Sequence, residues 1–282
     1  MLYIIATPIG NLADISLRAI QVLKEVNRIA AEDTRHSRQL LQHYNIKTPV
    51  FAFHEHNEQA QTEKLVQCLL AGEKIALISD AGTPLISDPG YRLLRVVHEH
   101  NIKVVPIPGP CALIAALCAS GLATDRFVFE GFLPAKSGAR IKHLQDLRAE
   151  GRTLIFYEAP HRLKSTLIAM GEVFSPARQA VLARELTKTF ETIQHGSLQY
   201  LLDFVTADLN QQKGEMVIIV AGQTQNKSSV AIELSSTAEK IMQVLIAELP
   251  MKQAVKLAAE ITGANKKSLY NYGLQLKAGN PE

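Results

Sequence analysis

The sequence predicts an α/β protein of two subdomains followed by a small C-terminal helical, helix-turn-helix-like module, and three features carry that expectation. Short apolar runs alternate with amphipathic stretches of helical period through residues 1–119, the rhythm of a largely parallel sheet. That rhythm breaks at Ser120-Gly-Leu-Ala-Thr-Asp125 and then resumes. It ends at Val220, beyond which a polar stretch leads into helical segments alone. The expected division is 1–119 and 120–222 for the two α/β subdomains, 223–229 for a linker and 230–282 for the helical module.

Leu2–Ala6 reads as the first strand, closed by Thr7-Pro-Ile-Gly-Asn11 and followed by a helix that starts near Asp14 or Ser16. Strand Val26–Ala31, helix Thr34–Tyr44 and helix Gln59–Ala71 come next. Ile75–Ile78 is a short, wholly apolar run suited to a buried parallel strand. Helix Gly90–His100, strand Lys103–Pro106 and an Ala-rich helix Cys111–Ala119, opened by Pro108-Gly-Pro110, complete the first unit. In the second unit the strands are Phe127–Glu130, Thr153–Tyr157, Ala180–Ala183 and Met216–Val220. Gln223–Ser229 lacks large apolar residues and reads as a linker. The tail then carries helices Ser236–Leu249, Met251–Ile261 and Lys266–Leu276, the last two joined by a Gly-bearing turn in the manner of a helix-turn-helix. Packing of this tail on a neighbouring domain or subunit accounts for the same pattern.

With 47% hydrophobic and 20% charged residues the composition is that of a globular protein, and large-scale disorder is excluded. The net charge of +3 is too small to name a partner, so any nucleic-acid contact must come from local patches. Three cysteines without metal-ligand spacing fit a reducing compartment. The first residues lack the pattern of a secretory signal, and no apolar run is long enough to cross a bilayer, which predicts a soluble, cytoplasmic protein. His54-Glu-His56 and His98-Glu-His100 lack the i, i+4 spacing of a zinc site, and no metal is expected. An aromatic content of 6% with no Trp argues against a wide base-stacking platform.

Three loops at predicted strand ends hold the chemistry: Thr7–Asn11, Ser79–Gly90 and Pro108–Ala112. Loops at the carboxyl ends of parallel strands are where open α/β sheets bind ligands. Within the second loop Gly82 is expected to allow close approach of a ligand to the backbone, Pro84 and Pro89 to stiffen the path, and Asp80 to accept hydrogen bonds or simply to brace the turn. A Gly-x-Gly-x-x-Gly after the first strand is absent, as is a Gly-Lys-Ser/Thr phosphate loop, which disfavours a standard dinucleotide or nucleoside-triphosphate site.

Seven segments occur in order: Thr7-Pro-Ile-Gly-Asn11, Ser79-Asp-Ala-Gly-Thr-Pro84, Pro108-Gly-Pro-Cys-Ala112, Glu130-Gly-Phe-Leu-Pro134, Phe156-Tyr-Glu-Ala-Pro-His-Arg162, Ala183-Arg-Glu-Leu-Thr-Lys188 and Gly214-Glu-Met-Val217. Together they resemble the S-adenosylmethionine-dependent methyltransferases of the tetrapyrrole-methylase fold, within it the bacterial branch that methylates the 2′-hydroxyl of a cytidine in the decoding region of small-subunit ribosomal RNA. The resemblance spans essentially the whole chain. It implies two α/β subdomains of the tetrapyrrole-methylase type with the cofactor cleft between them. It also implies S-adenosyl-L-methionine as cofactor, ribosomal RNA or the assembled small ribosomal subunit as substrate, and a homodimer. Carried over to this sequence, it places Pro8 at the floor of the cleft, Ala81, Gly82, Thr83 and Ile86 beside the cofactor, and Cys111 and Ala112 on its other side. The wider family has Gly-Asp-Pro where this chain has Gly82-Thr83-Pro84, the acid being displaced to Asp80.

For methyl transfer to a hydroxyl, a positioned base helps, and Glu158, His161 and Glu185 are the candidates because each follows a predicted strand of the second unit. Arg162, Arg184 and Lys188 suit RNA phosphates, while a structural ion pair of Glu185 with either arginine is the plain alternative. Lys136 and Arg140 sit in a basic segment leading into a helix, readable as an RNA contact or as solvated surface. Lys266, Lys267 and Tyr270 open the final helix as a further RNA-contact set. Two rival functions are a tetrapyrrole-precursor methylase of the same fold and a non-catalytic RNA-binding ribosome-assembly factor.

Overall fold

The computed structural model describes residues 1–223 and 236–278 and divides into two compact units, Met1–Gln223 and a C-terminal unit that begins beyond it. Strands β1 (Leu2–Ile5), β2 (Arg28–Ala31), β3 (Val50–Ala52), β4 (Ile75–Ile78) and β5 (Val104–Ile107) form one sheet in the order β3-β2-β4-β1-β5, and every pairing in it is parallel. Helices α1 (Leu17–Glu25), α2 (Thr34–His43), α3 (Glu58–Leu70) and α4 (Tyr91–Glu99) make the crossovers. The starts of α1 and α2 are set locally: Ser16 accepts from the Ala19 N–H at 3.1 Å and Asp33 from the Arg35 N–H at 2.7 Å. Both faces are covered, with Ile5, Ile29 and Ile78 packed in one core layer and Leu2, Ile4 and Leu77 in the other. Sequence periodicity misses β3 because a half-buried edge strand of 3 residues is too short to show alternation.

The second sheet joins β6 (Phe127–Phe132), β7 (Thr153–Glu158), β8 (Gln179–Arg184), β9 (Thr192–Ser197) and β10 (Met216–Val220) in the order β6-β7-β10-β8-β9. Only β6 and β7 run parallel, and β10 lies antiparallel between β7 and β8. The polar run Thr192-Ile-Gln-His-Gly-Ser197, which is not among the strands expected from the sequence, forms β9 at the edge. On this sheet the alternation is clear: Leu154, Phe156, Leu182 and Ile218 face one core, while Ile155, Val181, Val217 and Ile219 face the other.

Helices α6 (Ser137–Asp146), α7 (Leu163–Phe174) and α8 (Leu198–Ala207) lie with the first of these cores. Against the second packs α5 (Ala112–Ala119), through Leu113, Ala116 and Leu117. The helix that closes the first α/β run in the sequence thus covers the sheet of the second, which is why Met1–Gln223 is one compact unit.

In the C-terminal unit α9 (Ser236–Glu248), α10 (Met251–Thr262) and α11 (Lys266–Ala278) enclose a small core of Met242, Ala254, Val255, Ala258 and Leu269. Gly263 ends α10 with φ +69°, its N–H donating to the Ala259 carbonyl at 2.9 Å. Except for Gln223, the segment read as a linker lies outside the described residues. No helix among the described residues is long and apolar enough to cross a membrane.

Candidate functional site

Adjacent strands β4, β1 and β5 deliver the three Gly- and Pro-bearing loops to one edge of the parallel sheet. There the loops lock to one another. The Thr7 N–H donates to the Gly82 carbonyl at 2.8 Å and the Gly82 N–H to the Thr7 carbonyl at 3.1 Å, forming a one-residue antiparallel bridge. The Thr83 hydroxyl donates to the Pro110 carbonyl at 2.9 Å, tying the second loop to the third. Gly82 has φ +85°, and a Cβ there would meet nothing nearer than Ile9 at 3.5 Å. Conformation rather than close approach therefore demands glycine here. Leu85 (φ +74°) and Ser87 (φ +70°) are left-handed too, an accumulation of strained backbone of the kind held at functional sites.

A cavity of about 410 Å³ opens where these loops face the second sheet. Asp80, Ala81, Gly82, Thr83, Ile86, Cys111 and Ala112 line it, with Ile9 from the first loop and Phe132, Tyr157, Ala183 and Val217 from the second sheet. Tyr157 links the two sides: its hydroxyl accepts from the Leu113 N–H at 3.2 Å, satisfying a free donor at the start of α5. Burial, reinforced by Cys111, pushes the Tyr157 phenol above its ordinary range and keeps it neutral.

Five acidic residues line the same cavity, Glu32, Asp80, Asp88, Glu158 and Glu215, and the first three lie close enough to act on one another. Asp80 is anchored, its Oδ1 accepting from the Asp33 N–H at 3.0 Å. Burial, then the nearby Asp80, raises Glu32. Asp88 is pushed up to about 6, chiefly by burial and further by Glu32 and Asp80, with the Ser79 hydroxyl acting in the opposite sense. Sequence reasoning passes over Glu32 and Asp88. The Ser87-Asp-Pro-Gly90 turn was a visible signal for Asp88, since an acid within a turn that returns over a strand end is well placed to face the ligand side.

Several predicted site residues are engaged elsewhere. Pro8 does not line the cavity; it borders a much smaller pocket of about 50 Å³ beside α2, because the chain turns after β1 and presents Ile9 instead. The Glu158 carboxylate, expected as a base, has no exposure and accepts from Arg162, from the Ala159 N–H at 2.8 Å and from Thr166 at 2.5 Å. Its partner Arg162 gives Nε and Nη2 to that pairing and keeps 17% of its side chain exposed. His161 is exposed on the short turn 160–162 and does not line the cavity.

Glu185 adopts φ +51° and is clasped by the turn at Gly214-Glu215, its Oε1 accepting from the Glu215 N–H and from Lys188, both at 2.9 Å. Burial alone would raise this carboxyl, but the Glu215 N–H and Lys188 outweigh it and hold it below the ordinary range. Burial likewise would lower Lys188, and Glu185 and Glu215 hold it raised. Arg184 is buried and donates to the carbonyls of Lys213 and Phe190 and to Thr192. Two of the matched segments, Ala183–Lys188 and Gly214–Val217, are thus halves of one clasp that sets Leu186, Glu215 and Val217 against the cavity. That clasp also reaches the loop after β1: a Cβ on Gly10 would lie 2.4 Å from Lys188 Cγ, so only glycine admits the contact.

Of the other basic residues, Arg140 is 5% exposed and withdrawn from the surface, whereas Lys136 at the start of α6 is exposed. Lys266, Lys267 and Tyr270 are exposed on α11, with the Lys267 N–H capped by Asn265 at 2.8 Å. Among the described residues no group of three or more His, Cys, Asp or Glu is placed to hold a metal ion.

Residues 1–202 match the model for Tetrapyrrole (Corrin/Porphyrin) Methylases, and residues 233–277 match that for the RsmI C-terminal HTH domain. The chain is 56% identical over 274 residues to Ribosomal RNA small subunit methyltransferase I of Pseudomonas aeruginosa, covering 97% of this chain and 96% of that protein. To the protein of the same name from Haemophilus influenzae it is 54% identical, with 97% and 96% covered. Among solved structures, diphthine synthase superposes with a TM-score of 0.60 at 13% identity, covering 78% of this chain and 89% of that one. Uroporphyrin-III C-methyl transferase from Thermus thermophilus, complexed with S-adenyl homocysteine, gives 0.55 at 16% identity, covering 77% and 96%. At those identities the likeness to both structures is one of fold.

Proposed function

This chain belongs to the tetrapyrrole (corrin/porphyrin) methylase family, and from that premise we propose that it transfers a methyl group from S-adenosylmethionine to the ribose 2′-hydroxyl of a cytidine in the decoding region of small-subunit ribosomal RNA. The observation that carries the reading is the cavity of about 410 Å³ between the loop edge of the parallel sheet and the second sheet, lined by the loops on one side and bordered by the acid cluster Glu32, Asp80 and Asp88. Its size falls within the roughly 300–1,000 Å³ of small-molecule sites. Ile9, Ile86, Leu186 and Val217 offer apolar surface, and Glu32, Asp80 and Asp88 offer negative charge suited to a cationic cofactor. The 56% identity over 274 residues to a Ribosomal RNA small subunit methyltransferase I, together with the C-terminal helical unit, favours the RNA reading over a tetrapyrrole-precursor methylase.

S-adenosylmethionine, when bound, supplies an electrophilic methyl group on a sulfonium. Residues 80–83 and 111–112 hold it through loop backbone, with residues 1–119 and 120–222 as the two walls. Asp88 would take the proton of the ribose 2′-hydroxyl, whose oxygen would accept the methyl carbon as its bond to sulfur breaks and a neutral thioether leaves; a carboxyl held near 6 is ionised at neutral pH yet more basic than an ordinary aspartate. Lys136, Lys266 and Lys267, all exposed, contact RNA phosphates. We take the enzyme to be cytoplasmic and homodimeric, acting on ribosomal RNA or the assembled small subunit. The test is a mass-spectrometric map of ribose methylation after incubating purified protein and labelled cofactor with unmethylated small subunits or with naked RNA. One labelled cytidine 2′-O-methyl is expected; label on no nucleotide of either substrate overturns the reading and leaves the non-catalytic assembly factor.

A further inference from the structure

Phe132 is 55% exposed although it lines the cavity, and it stands there because of a defect in its own strand. In β6 the register with β7 runs Phe129 to Ile155, then skips to Gly131 opposite Phe156 and Phe132 opposite Tyr157. Glu130 is the extra residue of a bulge. In a regular strand, residues three apart point to opposite faces. Here Phe129 and Phe132 both meet the Tyr157 ring edge-on, with centroids 4.8 and 5.7 Å away.

The bulge is built rather than accidental. Gly131 takes φ +64°, and the displaced Glu130 is tied to His143 of α6 at 2.9 Å. A Cβ on Gly131 would lie 3.4 Å from the Ser87 hydroxyl, so the bulge sits against the loop that carries Asp88. Bulges recur beside active sites, where they re-aim a side chain. This one delivers a large aromatic ring to the cavity and leaves half of it in water, at a cost in exposed apolar surface.

We propose that Phe132 is the stacking platform for the nucleobase of the nucleotide being methylated, a substrate-positioning role that rests on the RNA 2′-O-methyltransferase reading above. A ribose hydroxyl reaches a recessed reaction centre only if its nucleotide leaves the RNA stack, and the base then needs a new partner. Every base has a π-face, and one exposed ring at the mouth supplies it without a broad platform. Tyr157 braces the ring from the side.

The test compares wild type, Phe132→Ala, Phe132→Leu and Phe132→Tyr on small subunits, and on subunits reconstituted with RNA carrying an abasic ribose at the target. Phe132→Ala and Phe132→Leu should raise KM for the subunit roughly ten- to a hundred-fold, and Phe132→Tyr should restore it. S-adenosylmethionine affinity by calorimetry should not move. On the abasic substrate the wild type should fall to the level of Phe132→Ala, and the variant should fall no further. A KM within two-fold of wild type in Phe132→Ala overturns the inference alone, as does an equal loss of cofactor affinity, which would make the ring a cofactor contact. No transfer to RNA by the wild type overturns the underlying reading as well.

Discussion

Arg162 donates through both Nε and Nη2 to a single oxygen of Glu158, at 2.8 and 2.6 Å, and so neutralises a carboxylate with no exposure at the end of β7. The pair closes the strand-to-helix turn that follows Tyr157. It is a structural device at the border of the cavity, built from two residues whose types alone suggest catalysis.

Removing one partner strands the other charge. Arg162→Ala is expected to destabilise the protein by about 3–5 kcal/mol, read as a fall in urea midpoint. Adding Glu158→Gln to it should recover part of that loss, because the unpaired charge is then gone. A loss of stability under about 0.5 kcal/mol in the single variant would show that the pair is not holding the turn.

At Gly82 the backbone conformation, not space, sets the requirement. A side chain there costs about 1–2 kcal/mol in the left-handed region, and the loop relieves it by moving. Gly82→Val should therefore lower S-adenosylmethionine affinity by calorimetry at least ten-fold while the protein still melts cooperatively. Unchanged affinity removes the loop from the cofactor site.

Asp88 gives a pH dependence with a definite sign. Its carboxyl is raised in the folded protein from 3.8 to about 6, so kcat should rise with pH through about 6 and then level off. The same shift means that ionisation costs the fold stability as pH rises between those two values, a penalty fully present above them. Asp88→Asn should therefore abolish the pH-dependent rise and lower kcat at least a hundred-fold, yet melt no lower than wild type at pH 7.5. After allowance for solvent around a partly exposed group, the gain in stability is on the order of 1 kcal/mol. A fully active Asp88→Asn enzyme would disprove the role of proton acceptor.

Glu185→Gln tests the clasp. Loss of charge-assisted hydrogen bonds from Lys188 and the Glu215 N–H should cost about 1–3 kcal/mol, with turnover of the folded enzyme at saturating cofactor changed less than five-fold. A hundred-fold fall in kcat with unaltered melting would instead place this carboxylate in the reaction.

On α11, Lys266→Ala with Lys267→Ala should leave melting unaffected, since both residues are exposed. If both touch phosphates, the slope of log K for the small subunit against log salt should flatten by about 0.7–0.9 for each lost contact. An unchanged slope would point to a packing role for the helix.

The sequence by itself determined the parallel first sheet, the three loops at its edge and the helical tail, because each is written in local terms: apolar runs of strand length, Gly and Pro where the chain must turn, and helical periodicity. Ile75–Ile78 and Met216–Val220 were legible to the residue, being fully apolar runs bounded by polar turns. That the loops carrying Asp80 to Thr83 and Cys111–Ala112 meet at one cavity was legible because strand ends of one parallel sheet converge, while the individual residues beyond Asp80 and Gly82 came from the family resemblance. Tertiary structure alone decided what the charged side chains do. Whether Arg184 and Glu185 meet a ligand depends on partners far along the chain, Lys213 and Glu215, and whether Glu158 and Arg162 do depends on burial, neither of which residue type encodes. The same holds for Asp88, whose proton affinity is raised chiefly by burial and further by Glu32 and Asp80 across the cavity, and for Phe132, whose face is fixed by a single extra residue in the ladder. Local sequence sets backbone conformation within a few residues, but electrostatics and register are properties of neighbours in space.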